Sequence, residues 1–309
     1  MGRLFGTDGV RGVANRELTP ELALALGRAG GHHLGGPGHG VIVGRDTRRS
    51  GRMLESALAA GLCSVGMDVW LAGVIPTPGL AFLARLPEFV AGAVISASHN
   101  PALDNGIKFF DHEGLKLPDS VEDEIERALD PGDGLPRPTE AGIGRIGDRR
   151  DLVDLYVGWL IARAPSLAGT KVVLDCANGA TYRVAPKVFS GAGAEAHVLF
   201  AQPDGANINL ECGSTRPEAL QTAVVERAGG SIGFAFDGDG DRVVAVDERG
   251  SLVDGDALIG ILAQELHRRG ELPGDVVVGT VMTNGGLEAT LARTGIRLVR
   301  TQVGDKYIW

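Results

Sequence analysis

Three short valine-rich runs, each followed by a turn of small polar residues and a helical pattern, constrain the fold most strongly. The runs are VIV at 41–43, VVLD at 172–175 and VVV at 276–278. Strands of a parallel sheet form unbroken apolar runs of this kind, because helices cover both faces of the sheet. The pattern therefore predicts an α/β protein built from three similar units, each with a parallel sheet.

Two segments of turn-forming residues divide these units. A loop rich in glycine and proline covers 131–147, and Glu248-Arg249-Gly250 forms a second break. Clusters of this composition commonly lie between regular elements. We therefore predict domains at 1–150, 151–250 and 251–309. The third has room for only a few strands and helices, so we expect it to be incomplete.

Charge and cysteine content exclude several classes of protein. The chain has 30 basic and 39 acidic residues, a net charge of −9, and no basic run, which argues against a nucleic-acid partner. A small anionic ligand is still possible, because a few arginines in one cleft suffice. Three widely spaced cysteines without a CxxC pair argue against a disulfide framework or a zinc site. No apolar leader or membrane-length run is present, so we expect a cytoplasmic protein without membrane contact.

The segment FDGDGDR is the strongest candidate for a metal site. Asp237, Asp239 and Asp241 alternate with glycine between two apolar runs, so their carboxylates can converge on one hard cation. The alternative is a solvated acidic turn. An EF-hand is excluded because Arg242 stands where that loop needs glycine. An arginine beside a cation site suggests a ligand that both can hold, such as phosphate.

A serine follows the apolar run at 89–95, in the segment SASHNP. Ser98 at the end of a buried strand is a candidate nucleophile, although such clusters are often only turns. We expect the adjacent His99 to point away from Ser98, which makes it a poor base for a Ser-His-Asp hydrolase. The GxSxG elbow is also absent. A serine beside a metal-phosphate site is better suited to carrying a phosphoryl group.

Two further segments carry basic residues close to these motifs. In NGIKFF, the pair Asn105-Gly106 predicts a hairpin turn, and Lys108 lies in the strand after it. A half-buried lysine can act as a general acid/base, whereas the alternative is a surface lysine. Near the N-terminus, a glycine-rich loop with Thr7 and Arg11 is suited to binding an anion.

Two threonine-proline pairs predict helix starts. Thr19-Pro20 and Thr77-Pro78 each place a hydroxyl before a proline. A threonine at the N-cap accepts a hydrogen bond from the first turn, and proline is favoured at the first helical position. We therefore expect both threonine hydroxyls to cap helices.

Together these motifs resemble the phosphohexomutase superfamily. The resemblance rests on MGRLFGTDGVRG, ISASHNP, DNGIKFF, NINLECGST at 207–215 and FDGDGDR, and it extends over the whole chain in order. The opening and the NINLECGST segment favour the bacterial glucosamine-phosphate branch. The resemblance implies repeated three-layer α/β domains with mostly parallel, mixed sheets, of which the third is incomplete and the fourth absent. It also implies an isomerase that interconverts glucosamine 6-phosphate and glucosamine 1-phosphate, in the synthesis of UDP-N-acetylglucosamine for the cell wall.

The resemblance also implies a role for each candidate residue. Ser98 would be the phosphoserine, and its phosphate would bind one Mg²⁺ together with the three aspartates. A hexosamine bisphosphate would be the intermediate and activator, and a homodimer is a possible assembly. Lys108 would be the leading general acid/base. The residues expected to contact phosphate or steady the phosphoryl group are Thr7, Arg11, His99, Asn100 and Arg242.

Two loops of the family do not occur in this sequence. The superfamily has four domains, of which the third carries a sugar-recognition loop and the fourth a loop that grips the remote phosphate. We therefore expect slow turnover from this chain alone, because the remote phosphate contact supplies binding energy that orients the reaction. Three alternatives stay open: a phosphoglucomutase/phosphomannomutase, a non-catalytic phosphosugar-binding protein, and a serine phosphohydrolase.

Overall fold

The computed structural model describes residues 4–6, 8–129, 134–227, 230–304 and 307–308. Its first sheet contains the strands β1 (Val10–Val13), β2 (Gly40–Arg45), β3 (Asp68–Val74), β4 (Ala91–Ile95), β5 (Asp104–Asp111) and β6 (Ile146–Asp148). The helices around it are α1 (Pro20–Leu34), α2 (Gly51–Cys63), α3 (Thr77–Ala84), α4 (Asp119–Arg127) and α5 (Leu152–Ile161). The strand order is β1-β5-β4-β2-β3-β6, parallel from β4 to β6 and antiparallel at β1 and β5.

The valine-rich run of β2 is buried on both faces of this sheet. Val41 and Val43 belong to the apolar core formed with α1 and α2, whereas Ile42 belongs to the core formed with α3. Successive side chains of a strand point to opposite faces, so one run serves both cores. The predicted three-layer arrangement with a mostly parallel, mixed sheet is therefore confirmed.

The second sheet has the same organisation. Its strands are β7 (Lys171–Asp175), β8 (Glu195–Leu199), β9 (Ile232–Phe236), β10 (Val243–Val246) and β11 (Leu252–Val253), and its helices are α6 (Val184–Gly191) and α7 (Glu218–Glu226). The order is β11-β10-β9-β7-β8, with β9, β7 and β8 parallel. Leu174 packs on the α6 side and Val173 on the α7 side.

The third unit is smaller. Its elements are α8 (Gly255–Arg269), β12 (Val276–Thr280), α9 (Gly285–Arg293) and β13 (Arg297–Thr301), and the two strands are parallel. Leu287, Leu291 and Ile296 form its core together with Ala263 of α8. Short 3₁₀ turns lie at Glu140–Gly142, Ala180–Tyr182 and Pro273–Asp275. None of the described helices is long and apolar enough to cross a membrane.

Two local predictions are wrong: the hairpin turn at Asn105-Gly106 and the helix cap at Thr77. In both cases the polar side chain bonds a residue far away in the sequence. Asn105-Gly106 is not a hairpin turn but lies within β5, where Asn105 pairs with Gly12 and donates its side-chain amide to Ser50 Oγ at 2.9 Å. Thr19 caps α1 as expected, accepting from the Leu22 N–H at 3.2 Å. Thr77 makes no such cap, because its hydroxyl donates instead to the Asp239 carboxylate of the second unit.

Candidate active site

Ser98 lies in the loop after β4 with no exposed surface. Its φ is +51°, a left-handed conformation that is uncommon outside glycine. The Ser98 N–H donates to Ser96 Oγ at 3.0 Å, and the Ser98 Oγ donates to Asp237 Oδ2 at 2.5 Å. The serine loop of the first unit therefore directs its hydroxyl at the acidic loop of the second.

The acidic loop connects β9 and β10, as its flanking apolar runs predict. Asp237 Oδ1 accepts hydrogen bonds from the backbone N–H groups of Gly240 and Arg242, at 3.1 and 3.2 Å. A Cβ at Gly238 would lie 2.6 Å from the Ser98 carbonyl oxygen. Glycine at this position therefore allows the two loops to approach so closely.

The three aspartates of this loop fit a magnesium ion. One oxygen each from Asp237, Asp239 and Asp241 lies within 4.8 Å of the others. Asp239 Oδ2 accepts from the Thr77 hydroxyl at 2.6 Å, whereas the buried Asp239 Oδ1 has no hydrogen-bond partner among the described residues. A buried carboxylate oxygen without a partner is costly, and a hard cation would satisfy it.

The electrostatics of the loop lead to the same conclusion. Burial raises the pKa of Asp237 to about 6 and that of Asp241 to about 8, and repulsion from Asp239 adds to both. Each shift means that the carboxylate form is disfavoured when no cation is bound. The cluster is therefore a set of oxygen ligands whose charge a divalent cation would neutralise.

Lys108 and Arg11 meet at one carboxylate. Lys108 is only 6% exposed on β5, which excludes the surface-lysine alternative, and its Nζ pairs with Asp8. Arg11 on β1 also pairs with Asp8, through Nη2. Burial raises the pKa of Asp8, but the charges of Lys108 and Arg11 outweigh this effect and hold it below its usual value. Asp8 is therefore an anion that fixes the positions of the Lys108 and Arg11 side chains.

His99 does not point away from the serine, which corrects the prediction. Its Nδ1 lies 3.4 Å from Ser98 Oγ, because the left-handed backbone at Ser98 brings the two side chains to the same side. Burial, with Arg242 and Arg11, lowers the pKa of His99, so the ring is neutral near pH 7. The contact is longer than that to Asp237, so His99 is placed beside the hydroxyl rather than bonded strongly to it.

The remaining candidates are placed as follows. The Arg242 side chain is 56% exposed, and its Nε lies 3.9 Å from Asp241 Oδ1. The Asn100 amide donates to Asp104 at 2.9 Å and closes the serine loop. Thr7 lies outside the described residues.

Several residues that the sequence analysis did not select also build this site. Arg48 lies buried under the serine loop with Asp46, and Asn209 reaches the same loop from the second unit. Asp46 and Arg48 follow β2 directly, and charged residues at the end of a buried strand were a usable signal. Asn209 lies within the NINLECGST segment, which the sequence analysis used only as evidence of the family resemblance.

The arrangement suits phosphoryl transfer. The Ser98 hydroxyl bonds a loop of three convergent carboxylates, and Asp8 holds a buried lysine and an arginine beside each other. Positioning and charge neutralisation are the main contributions that a protein makes to this chemistry.

Three family models match the chain. Their descriptions are "Phosphoglucomutase/phosphomannomutase, alpha/beta/alpha domain I" for residues 2–133, the corresponding domain II for 156–250 and domain III for 254–309. Together they cover most of the sequence, in the order in which the structure forms its three sheets.

Curated relatives and a solved structure are similar over nearly the whole chain. The phosphoglucosamine mutases of Moorella thermoacetica and Desulforudis audaxviator are 56% and 54% identical. Both alignments cover 100% of this chain, and they cover 70% and 69% of the relatives. A phosphoglucomutase/phosphomannomutase family protein from Burkholderia thailandensis has a TM-score of 0.85 at 29% identity, covering 99% of this chain and 67% of that structure.

Proposed function

Because the chain belongs to the phosphoglucomutase/phosphomannomutase family, we propose that it acts as a phosphoglucosamine mutase, an isomerase of glucosamine phosphates. The observation that carries this proposal is the Ser98 hydroxyl directed at the three-aspartate loop at 2.5 Å. The curated relatives above 50% identity support glucosamine phosphate over glucose or mannose phosphate as the substrate.

In the proposed reaction, Ser98 carries the phosphoryl group between the two positions of the sugar. The bond between phosphorus and Ser98 Oγ breaks as a bond to the free sugar hydroxyl forms, which gives glucosamine 1,6-bisphosphate. The sugar proton leaves through a base, and Ser98 Oγ gains a proton, so the half-reaction balances. After the sugar reorients, its other phosphoryl group returns to Ser98 by the reverse step.

The neighbouring residues have distinct roles in this proposal. Lys108 is buried, and its charge acts on Asp241 of the carboxylate loop. In this proposal it moves the proton of the sugar hydroxyl, while Asp8 holds it in place. Arg11 and Arg242 bind phosphoryl oxygens, and the neutral His99 ring donates a hydrogen bond to them. The three aspartates would hold Mg²⁺ with the phosphate on Ser98. The bound ion would supply neutralisation of the charge on the transferring group.

The proposal is tested by the half-reaction. The chain is incubated with Mg²⁺ and either glucosamine 1,6-bisphosphate or glucose 1,6-bisphosphate, and phosphate is mapped by peptide mass spectrometry. We expect phosphate on Ser98, formed faster from the glucosamine compound. A clear preference for the glucose compound would support the phosphoglucomutase alternative. Release of inorganic phosphate without isomer would indicate a phosphohydrolase, and binding without transfer would indicate a non-catalytic protein.

A second prediction concerns Lys108. We expect Lys108→Met and Lys108→Arg to slow the phosphorylation of Ser98 by about 10²–10⁴-fold, which is the usual contribution of a general acid/base. Arginine keeps the charge but does not release a proton at neutral pH, so it separates proton transfer from charge alone. Stopped-flow or quench measurements of Ser98 phosphorylation give the rates.

The matched control is Lys187→Met, which removes an exposed lysine paired with Asp154 on another surface. This variant should react at the rate of the unsubstituted protein. A Lys108→Arg variant with the unsubstituted rate would show that Lys108 contributes charge but no proton transfer.

A further inference from the structure

The serine loop is held from below by one buried guanidinium. The Arg48 side chain has no exposed surface and donates to four backbone carbonyls of the loop. Nη2 bonds the carbonyls of Ser98 and Asn100 at 3.0 and 2.8 Å, and Nη1 bonds those of Pro101 and Asp104. The planar fork of an arginine can satisfy several carbonyls at fixed angles, which a lysine cannot reproduce.

Asp46 joins the guanidinium to the other side of the loop. Its Oδ2 accepts from Arg48 Nε at 2.9 Å and from Ser96 Oγ at 2.6 Å. Ser96 Oγ in turn accepts from the Ser98 N–H. Both backbone polar groups of Ser98 are therefore tied, directly or through Ser96, to one buried ion pair.

A second anchor comes from the other unit. Asn209 Nδ2 donates to the carbonyls of Ser98 and Asn100, at 2.8 and 3.1 Å. Asn209 itself has a φ of +57°, a conformation that asparagine tolerates better than most residues. The carbonyl of Ser98 is thus shared between a donor from each of the two units.

These contacts fix the direction of the serine hydroxyl. A non-glycine residue at a φ of +51° persists only where its surroundings over-determine the backbone. Here the N–H and the C=O of Ser98 are both held, so rotation of the peptide planes that would move Oγ away from Asp237 is blocked. Loss of either anchor would weaken the restraint on that rotation, because the Ser98 carbonyl would keep one of these two donors instead of both.

We propose that Arg48 and Asn209 are positioning residues that hold the Ser98 backbone so that its oxygen stays in line for phosphoryl transfer. This inference rests on the proposed function, because it assigns a purpose to the orientation of the Ser98 nucleophile. Neither residue contacts the serine hydroxyl, so their effect acts through the loop. A displacement of a reacting atom by about 1 Å costs on the order of 10²-fold in rate.

The test uses an isosteric change at Asn209. Asn209→Asp keeps the size and the left-handed tolerance of the residue but replaces the donor with an acceptor that faces two carbonyls. The rate of Ser98 phosphorylation by glucosamine 1,6-bisphosphate and Mg²⁺ is measured over a range of bisphosphate concentrations. We expect the saturating rate to fall by about 10–100-fold, with the half-saturating concentration changed by less than about threefold.

The matched control makes the same chemical change away from the site. Gln221 Nε2 donates to the Gly250 carbonyl at 2.7 Å, so Gln221→Glu also turns an amide donor to a backbone carbonyl into a carboxylate. This variant should keep the unsubstituted rate. Equal losses in both variants would show a general loss of stability and overturn the proposal, as would an unsubstituted rate in Asn209→Asp.

Arg48→Lys and Asn209→Ala provide the second measurement. Arg48→Lys keeps the charge beside Asp46 and loses the fork, and Asn209→Ala removes the donor without adding charge. Both should slow the saturating rate, and a normal rate in both overturns the proposal. No phosphate on Ser98 in the unsubstituted protein would instead remove the proposed function, and with it this inference.

Discussion

Replacing Ser98 with alanine is expected to lower phosphoryl transfer by at least about 10⁴-fold, the largest effect of any single substitution in this chain. The change removes the Ser98 hydroxyl. Among the serines that the structure describes, only this one donates a hydrogen bond to the three-aspartate loop. The substitution leaves the surrounding fold unchanged, because the anchors of the loop bind the backbone of residue 98 and not its hydroxyl.

The measurement is the amount of protein-bound phosphate after incubation with Mg²⁺ and glucosamine 1,6-bisphosphate, together with the rate of isomerisation. Ser56→Ala is the matched control, because Ser56 is an exposed helical serine whose hydroxyl donates to the Arg52 carbonyl of its own helix. Phosphate that accumulates on the Ser98→Ala protein at the normal rate would place the carrier elsewhere and contradict the proposed mechanism.

The second large effect is expected at Asp239. Asp239→Asn should lower transfer by about 10³-fold or more, because an amide is a weaker ligand than a carboxylate and removes one charge from the cation site. We expect Mg²⁺ to increase the melting temperature of the unsubstituted protein, and the same substitution should abolish this increase. That increase should be a few degrees at saturating Mg²⁺, since a ligand stabilises the state that it binds.

The effect of Mg²⁺ should also depend on pH. The pKa values of Asp237, about 6, and Asp241, about 8, lie above their ordinary values, so without metal the folded state keeps protons on these groups to a higher pH than the unfolded state does. Their contribution to stability is present at low pH and is lost as pH rises toward these values. Metal binding releases the protons, so the Mg²⁺-induced shift should grow between about pH 6 and pH 8.

Differential scanning fluorimetry with and without EDTA gives these shifts. Asp154→Asn is the control, because Asp154 is an exposed carboxylate paired with Lys187 and its loss should not alter the response to Mg²⁺. A Mg²⁺-induced shift that is equal at pH 6 and pH 8 would show that the aspartate cluster is not the ion's ligand.

The features that the sequence predicts well are local. Alternation of aspartate with glycine between two apolar runs was enough to place the acidic loop between β9 and β10. The apolar residues that flank Lys108 likewise indicated a strand, and β5 is buried from Asn105 to Phe110. The valine-rich runs predicted the strands and the layers around them, because burial on both faces leaves a direct compositional trace.

The features that the sequence did not predict depend on pairing across the fold. Thr77 has the spacing of a helix cap, but its hydroxyl bonds Asp239, which lies 162 residues away. Arg48 was not selected from the sequence, because the carbonyls that it bonds lie 50 to 56 residues further along the chain. His99 was misplaced because its direction depends on a left-handed backbone at Ser98, which the one-letter sequence does not encode.

The division of the site between two sheets has a consequence for how the protein is made. Ser98 and Asp237 are 139 residues apart, so their contact closes one of the longest loops in the chain. Closing a long loop costs entropy that only later contacts repay, so such contacts form late in folding. During synthesis, the first sheet can fold while the acidic loop is still absent, and Ser98 then lacks its hydrogen-bond partner Asp237. The nascent chain thus acquires its capacity to react only after both sheets have folded and joined.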